Sequence, residues 1–312
     1  MSRCLYCYLP LEEGQVDFHV GCTKKLFNSL QLPEIHFDLN DLEEMARQNI
    51  IKSKAVTGVQ AKLSINVEKH RNEPPRLTIV GLHGDYILKP PSTHFKELPE
   101  NEDLTMHLAE LIKIKTAKHA LIRLKSGEMA YISQRFDRGK NGKIAVEDFC
   151  QLSENLTEHK YRGSIEKVGK LMRAFTFNKG FESQRLFELV LFCYLTGNAD
   201  MHLKNFSLIE NSLGEFELSP AYDLVNTAIV MPEDKEELAL TMNGKKSRLK
   251  RLDFDVFAAS LQINEKSLAS IYNRFEGILP EWITCIERSF LSEEMKEEYT
   301  ELLRRRHKKL FC

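Results

Sequence analysis

The sequence lacks any apolar run near the ~20 residues that a membrane-spanning helix needs. It also lacks an excess of either charge. Forty-four Lys and Arg stand against 45 Asp and Glu in 312 residues, a net charge of −1. A protein that coats nucleic acid usually needs a basic excess, so that class is disfavoured. Internal repeats and low-complexity tracts are absent. The opening residues, Met1-Ser2-Arg3-Cys4, contain no apolar signal-peptide region, and a cytoplasmic protein is expected. The seven cysteines are odd in number and cannot all pair. Cys150 and Cys193 sit in apolar surroundings and read as buried thiols.

What remains is an ordinary soluble composition, 42% hydrophobic and 29% charged. The length suits about two domains, or one bilobal domain with an appendage. Residues 1–35 form a Cys-rich segment. A module at 36–140 follows. It opens with a short helix over 39–49, capped by Asn40 or Asp41, and continues with strands over Ala61–Val67, Arg76–Val80 and Asp85–Lys89. An amphipathic helix over 101–115 and strands Ala120–Leu124 and Met129–Arg135 complete it. Residues 141–312 change character. Helices are expected over 164–176, 183–197, 252–260, 265–276 and 293–309, with one hairpin, Phe206–Ile209 and Phe216–Leu218, between them. The expected fold class is α+β, with a small β-rich lobe and a larger helical lobe, as in protein kinases. Layout alone does not establish function.

The most informative stretch is Gly197-Asn198-Ala199-Asp200-Met201-His202-Leu203-Lys204-Asn205. Asp200 and Asn205 have the Asp-to-Asn spacing of a kinase catalytic loop. The chemistry needs that pair: a carboxylate orients the attacking hydroxyl and takes its proton, and an amide oxygen holds magnesium beside the phosphates. Beyond the hairpin, Ser219-Pro220-Ala221-Tyr222-Asp223-Leu224 returns a second acid. As isolated residues these are ordinary turn formers, and only their combination points to a site. Upstream, Gly58-Val59-Gln60-Ala61-Lys62 could lie over phosphates, although it is not a full Gly-rich loop. Lys89 ends an apolar strand, where an ammonium suits nucleotide phosphates or simply marks a strand exit. Gln134-Arg135-Phe136 ends the last strand before the helical part, where a hinge would meet an adenine ring; Phe136 also suits core packing.

With Glu147-Asp148-Phe149-Cys150-Gln151, these segments make the chain resemble the HipA toxin family of serine/threonine kinases, from about Lys52 to about Lys250. The resemblance implies a bilobal kinase fold, ATP as donor and Mg2+ as metal. It implies Asp200 as the catalytic residue and Asn205 and Asp223 as magnesium ligands. Gly58, Gln60, Lys62, Lys89 and His202 fall on the nucleotide, with Gln134 and Phe136 on the adenine side. It also implies an aminoacyl-tRNA synthetase or another translation protein as substrate. The expected partner is a helix-turn-helix antitoxin, through which alone DNA would be met. Rival readings are a weakly active binding module that co-represses its operon, and a small-molecule kinase.

Two departures from the family stand out. The usual autophosphorylated serine falls on Ala55, which leaves Ser53 to take that role or the regulation absent. Long members also carry an extra N-terminal subdomain before Gly58, which short members encode separately. A small separate partner is therefore expected.

Two further clusters complete the inventory. Cys4-x2-Cys7 and His19-x2-Cys22 have the paired spacing of a tetrahedral zinc site, or are three reduced thiols in a docking segment. The run Arg304-Arg305-Arg306-His307-Lys308-Lys309 reads as a solvated helix end or as a contact for tRNA or an acidic partner.

Overall fold

A computed structural model describes residues 2–42, 44–45, 61–81, 84–139 and 142–312. Gly58, Gln60 and Ser53 lie outside the described residues. The chain divides into two compact units. The first comprises Met1–Asp103, Ala117–Phe136 and Arg288–Phe290, and the second Leu104–Thr116, Asp137–Glu287 and Leu291–Cys312.

In the first unit, helix α1 (Val20–Phe27) precedes strands β1 (Leu63–Glu68), β2 (Arg76–Val80) and β3 (Tyr86–Lys89). Helix α2 (Leu98–Leu111) follows and runs on into the second unit, and β4 (His119–Arg123) and β5 (Met129–Gln134) end the sheet. The order is β2-β1-β3-β5-β4, every pair antiparallel. Register puts Leu63, Leu88, Ile132 and Ala120 in one cross-strand row. These side chains share a buried cluster with Cys4, Leu5, Cys22, Leu26 and Phe27 of the N-terminal segment. That burial, at roughly 1.5–3 kcal/mol per large side chain, attaches a segment too short to hold its own core. The segment also covers a sheet edge, since the β4 amide of Leu121 donates to the carbonyl of Leu5 at 3.1 Å.

Because strand side chains alternate, the register puts Lys89, Tyr131 and Leu121 on the opposite face. The helical turn expected after residue 39 is present at 39–42. Its reciprocal cap is made by Asp38 and Asp41, not Asn40: each backbone amide donates to the other's carboxylate.

The second unit is mainly helical. Strand β6 (Val146–Asp148) precedes helices α3 (Ile165–Phe175) and α4 (Lys179–Thr196). Strands β7 (Ser207–Glu210) and β8 (Phe216–Leu218) form the expected hairpin, which β6 extends in the order β8-β7-β6. Helices α5 (Arg251–Ser260), α6 (Glu265–Gly277), α7 (Leu279–Arg288) and α8 (Glu293–Phe311) follow. Every residue of α4 from Leu189 to Thr196 is buried, as an all-apolar helix requires. Phe187 packs on Phe257 and Tyr272, and Phe192 on Trp282. Helix α7 escaped the sequence reading because Pro280 looks like a break. In the first turn, however, its missing amide costs nothing. No helix among the described residues is long and apolar enough to cross a membrane.

Candidate active site

In the second unit, helix α4 ends at Gly197, whose φ of +82° is left-handed. A side chain there would also collide, because a Cβ would lie 2.4 Å from Oδ1 of Asn226 and 2.8 Å from Leu302. Glycine is therefore required at the turn that launches the Asp200 loop. The loop is then pinned from three sides. The amide of Asn198 donates to the Cys193 carbonyl (2.9 Å), and the amide of Ala199 to Oγ1 of Thr227 (2.9 Å). The buried Asn198 accepts the amide of Asp200 on Oδ1 (3.0 Å).

Asn205 closes the loop on itself. Its Nδ2 donates to the Asp200 carbonyl at 3.1 Å, which leaves the amide oxygen as the end suited to a cation. The hydroxyl of Tyr161 donates to Oδ1 of Asp200 at 2.6 Å. Tyr161 also meets the His202 ring edge-on, 5.0 Å between centroids. Burial, then the hydrogen bond to Asp200 and the charges of Asp200 and Asp223, push the Tyr161 hydroxyl up, so it stays protonated. Burial holds His202 below the ordinary histidine range despite the attraction of Asp200, so its ring is neutral near pH 7. Asp223 adopts a left-handed backbone, φ +59°, which is uncommon for a residue other than glycine and clusters at functional sites. Its neighbour Tyr222 bonds Oγ of Ser207 (2.6 Å) and the Lys204 carbonyl (2.8 Å), fixing the returning segment to the loop. The loop thus offers carboxylates and an amide oxygen, the hard donors that suit magnesium.

In the first unit, Lys89 is buried at the end of β3. Its ammonium lies 2.6 and 2.7 Å from the two carboxylate oxygens of Glu102 on α2. It also sits 5.4 Å from the ring centroid of Tyr131, its cross-strand neighbour. A strand lysine paired with a helix glutamate is an arrangement that active protein kinases require. The next residue, Asp103, accepts from Tyr8 at 2.7 Å and pairs with His119 at 2.6 Å.

The HipA-like C-terminal domain family matches residues 54–282. The chain belongs to this family.

Y4dM of Sinorhizobium fredii is 30% identical over 234 residues, covering 71% of this chain and 56% of that protein. The serine/threonine-protein kinase toxin HipA of Shewanella oneidensis is 29% identical over 212 residues, 61% of this chain and 47% of that one. The HipA-like chain thus spans about half the length of these curated relatives. The structure from Shewanella oneidensis of HipA with HipB and operator DNA matches with a TM-score of 0.68 at 22% identity, covering 82% of this chain and 65% of that one. The Helicobacter pylori proinflammatory kinase CtkA matches at 0.54 and 18% identity, covering 72% and 87%. At these identities the structural matches establish the α+β kinase-like fold alone.

Within the residues matched by the HipA-like family, those expected from sequence fall as follows. Asp200, His202 and Asn205 share one loop, and Asp223 acts electrostatically on Tyr161 and His202 with Asp200. Gln134 ends β5, its amide donating to the Lys118 carbonyl at 2.7 Å, and Phe136 is half-buried just beyond. Lys62 is exposed before β1.

Sequence reasoning missed Glu102 and Tyr161, and it quoted Asn198 within the loop motif without giving it a role. A usable signal for Glu102 was Glu100-Asn101-Glu102-Asp103, polar residues crowded onto a helix next to a strand lysine. The C-terminal basic run is structural in half of its residues, while Arg304, Arg305 and Lys308 are exposed. Buried Arg306 donates to the Tyr194 carbonyl, His307 meets the Glu276 carbonyl at 2.9 Å, and Lys309 pairs with Glu237 at 2.9 Å.

The cysteine cluster belongs to the first unit. Cys4, Cys7, His19 and Cys22 place their ligand atoms within 4.8 Å of one another. None of the seven cysteines is joined in a disulfide.

Proposed function

We propose that the chain is an ATP- and Mg2+-dependent serine/threonine protein kinase, the toxin of a toxin–antitoxin module. The observation that carries this reading is the Asp200–Asn205 loop, closed by the bond from Asn205 to the Asp200 carbonyl, in a chain of the HipA-like family. Asp200 would orient the acceptor hydroxyl and take its proton as the γ-phosphorus–oxygen bond to the leaving ADP breaks and a bond to the hydroxyl oxygen forms. Lys89, held in place by Glu102, would serve the nucleotide phosphates. Asn205 and Asp223 would hold magnesium, which neutralises phosphate charge when bound. Neutral His202 would contribute a hydrogen bond near the nucleotide without adding charge.

The substrate proposed is a serine or threonine of a translation protein, an aminoacyl-tRNA synthetase in the first instance. A helix-turn-helix antitoxin is the proposed partner, as HipB accompanies HipA in the Shewanella complex. The test is induced expression of the wild-type chain and of Asp200→Ala, with growth and phosphosites followed in both. Growth arrest and new phosphoserine or phosphothreonine with the wild type alone support the reading. Transfer of γ-phosphate to a small molecule, or equal effects of the two proteins, would overturn it.

A further inference from the structure

We propose that Cys4, Cys7, His19 and Cys22 hold a structural zinc ion. In tetrahedral coordination, Zn–S of about 2.3 Å and Zn–N of about 2.05 Å put sulfur and nitrogen about 3.6 Å apart. The structure holds Nδ1 of His19 at 3.4 Å from Sγ of Cys7 and 3.7 Å from Sγ of Cys22. The imidazole is oriented by a second contact, since Nε2 of His19 donates to the Pro10 carbonyl at 2.9 Å. That bond fixes the tautomer and turns the lone pair of Nδ1 to the sulfurs, the outer-shell arrangement of metal-bound histidines.

The backbone is built for the same purpose. Cys4 and Cys7 sit in a tight turn closed by two hydrogen bonds, the Cys4 amide donating to the Leu9 carbonyl and the Tyr8 amide to the Cys4 carbonyl, both 2.9 Å. Tyr8 carries the required positive φ of 61°. His19 is the N-cap of α1 and Cys22 lies in its first turn, so the helix sets the separation of these two ligands. Three sulfurs disfavour hard cations, and four protein ligands leave no open position for water, so the ion is structural rather than catalytic.

The knuckle lies outside the residues matched by the family, yet it reaches the core of the first unit. Leu5 caps the β4 edge, and Tyr8 donates to Asp103, the residue next to Glu102. On the kinase reading, the ion therefore braces the start of α2, where Glu102 meets Lys89.

The experiment is metal analysis of the purified full chain, with cobalt exchanged into the wild type. Stoichiometric zinc, and the strong visible bands of tetrahedral sulfur-rich cobalt, are expected. Cys22→Ser should lose the metal, His19→Cys should keep it with an altered cobalt spectrum, and Cys312→Ser should keep it unchanged. Asp200→Ala should also keep its zinc, so a failed kinase reading leaves this result intact. Trace zinc with an octahedral cobalt spectrum in the wild-type chain would overturn the proposal, as would stoichiometric iron. The cobalt measurement needs no variant, so a misfolded Cys22→Ser does not blunt the test.

Discussion

Lys89 and Glu102 form a two-pronged ion pair in which both side chains are almost fully buried, the ammonium 2.6 Å from one carboxylate oxygen and 2.7 Å from the other. Neither charge could be held there alone. Removing one partner leaves the other uncompensated, at a cost of about 3–5 kcal/mol. Glu102→Ala is therefore expected to lower stability by that order and to abolish phosphoryl transfer. The double variant Lys89→Met with Glu102→Leu is expected to recover most of the stability and none of the activity. Denaturant midpoints and γ-phosphate transfer on the same preparations check this. A double variant as unstable as Glu102→Ala would refute it.

The contact from Tyr161 to Asp200 uses an oxygen that an acceptor hydroxyl would need. A net hydrogen bond of about 1 kcal/mol corresponds to a few-fold effect. Tyr161→Phe is expected to raise kcat/KM for the phosphate acceptor two- to five-fold, by order of magnitude, while Asp200→Asn lowers kcat by at least about 10²-fold. Steady-state kinetics on one peptide substrate decides. A fall in kcat with Tyr161→Phe would instead assign that hydroxyl to positioning Asp200.

Glu100, in the first turn of α2, has its carboxyl pushed up to about 7 by burial first, with Glu97 and Asp103 adding repulsion against a lowering backbone hydrogen bond. The folded chain therefore binds a proton that the unfolded chain releases near 4.5. The resulting stability is fully present below that pH and is lost as pH rises through 7. Discounted for partial solvent contact, the loss is on the order of 1–3 kcal/mol. Glu100→Gln is expected to leave the Tm unchanged near pH 4 and to raise it near pH 8. A Tm difference independent of pH would contradict this.

Gly197 combines a left-handed backbone with contact to buried Asn226. Strain of about 1–2 kcal/mol for the backbone adds to the displacement of Asn226, which caps the following helical turn at Ile229. Gly197→Ala is expected to cost about 2–4 kcal/mol in denaturant unfolding and to weaken nucleotide binding through the displaced loop. Unfolding indistinguishable from the wild type would show that the turn relaxes freely.

Several features were readable from the chain alone because they are local. The Asp200–Asn205 spacing lies within six consecutive positions, and the β7–β8 hairpin carries its own turn signal at Asn211-Ser212-Leu213-Gly214. The apolar continuity of α4 states that it is buried, and the cysteine and histidine spacing already outlines a four-ligand set. Other features depended on partners distant in sequence. The apolar run Leu238–Met242 has the composition of a strand but makes only single bridges, Thr241 to Ser164 and Met242 to Lys245, since no neighbouring strand runs alongside it among the described residues. The basic run looked uniform in sequence, but Arg306 and His307 are buried against carbonyls of α4 and α6, while Arg304 and Arg305 stay exposed.

By itself, the sequence determined the α+β class, the order of most strands and helices, and the spacing of the candidate catalytic residues. These follow from periodicity, turn chemistry and short-range spacing, which a chain carries in any conformation. Only the tertiary structure decided that Glu102 is the counter-ion of Lys89, that Tyr161 donates to Asp200, and that Pro10 turns His19 toward the sulfurs. Those choices rest on burial and on distances of a few ångströms between residues 9 to 39 positions apart. Desolvation makes the buried Lys89–Glu102 pairing obligatory, and it acts only once the chain has closed around the groups.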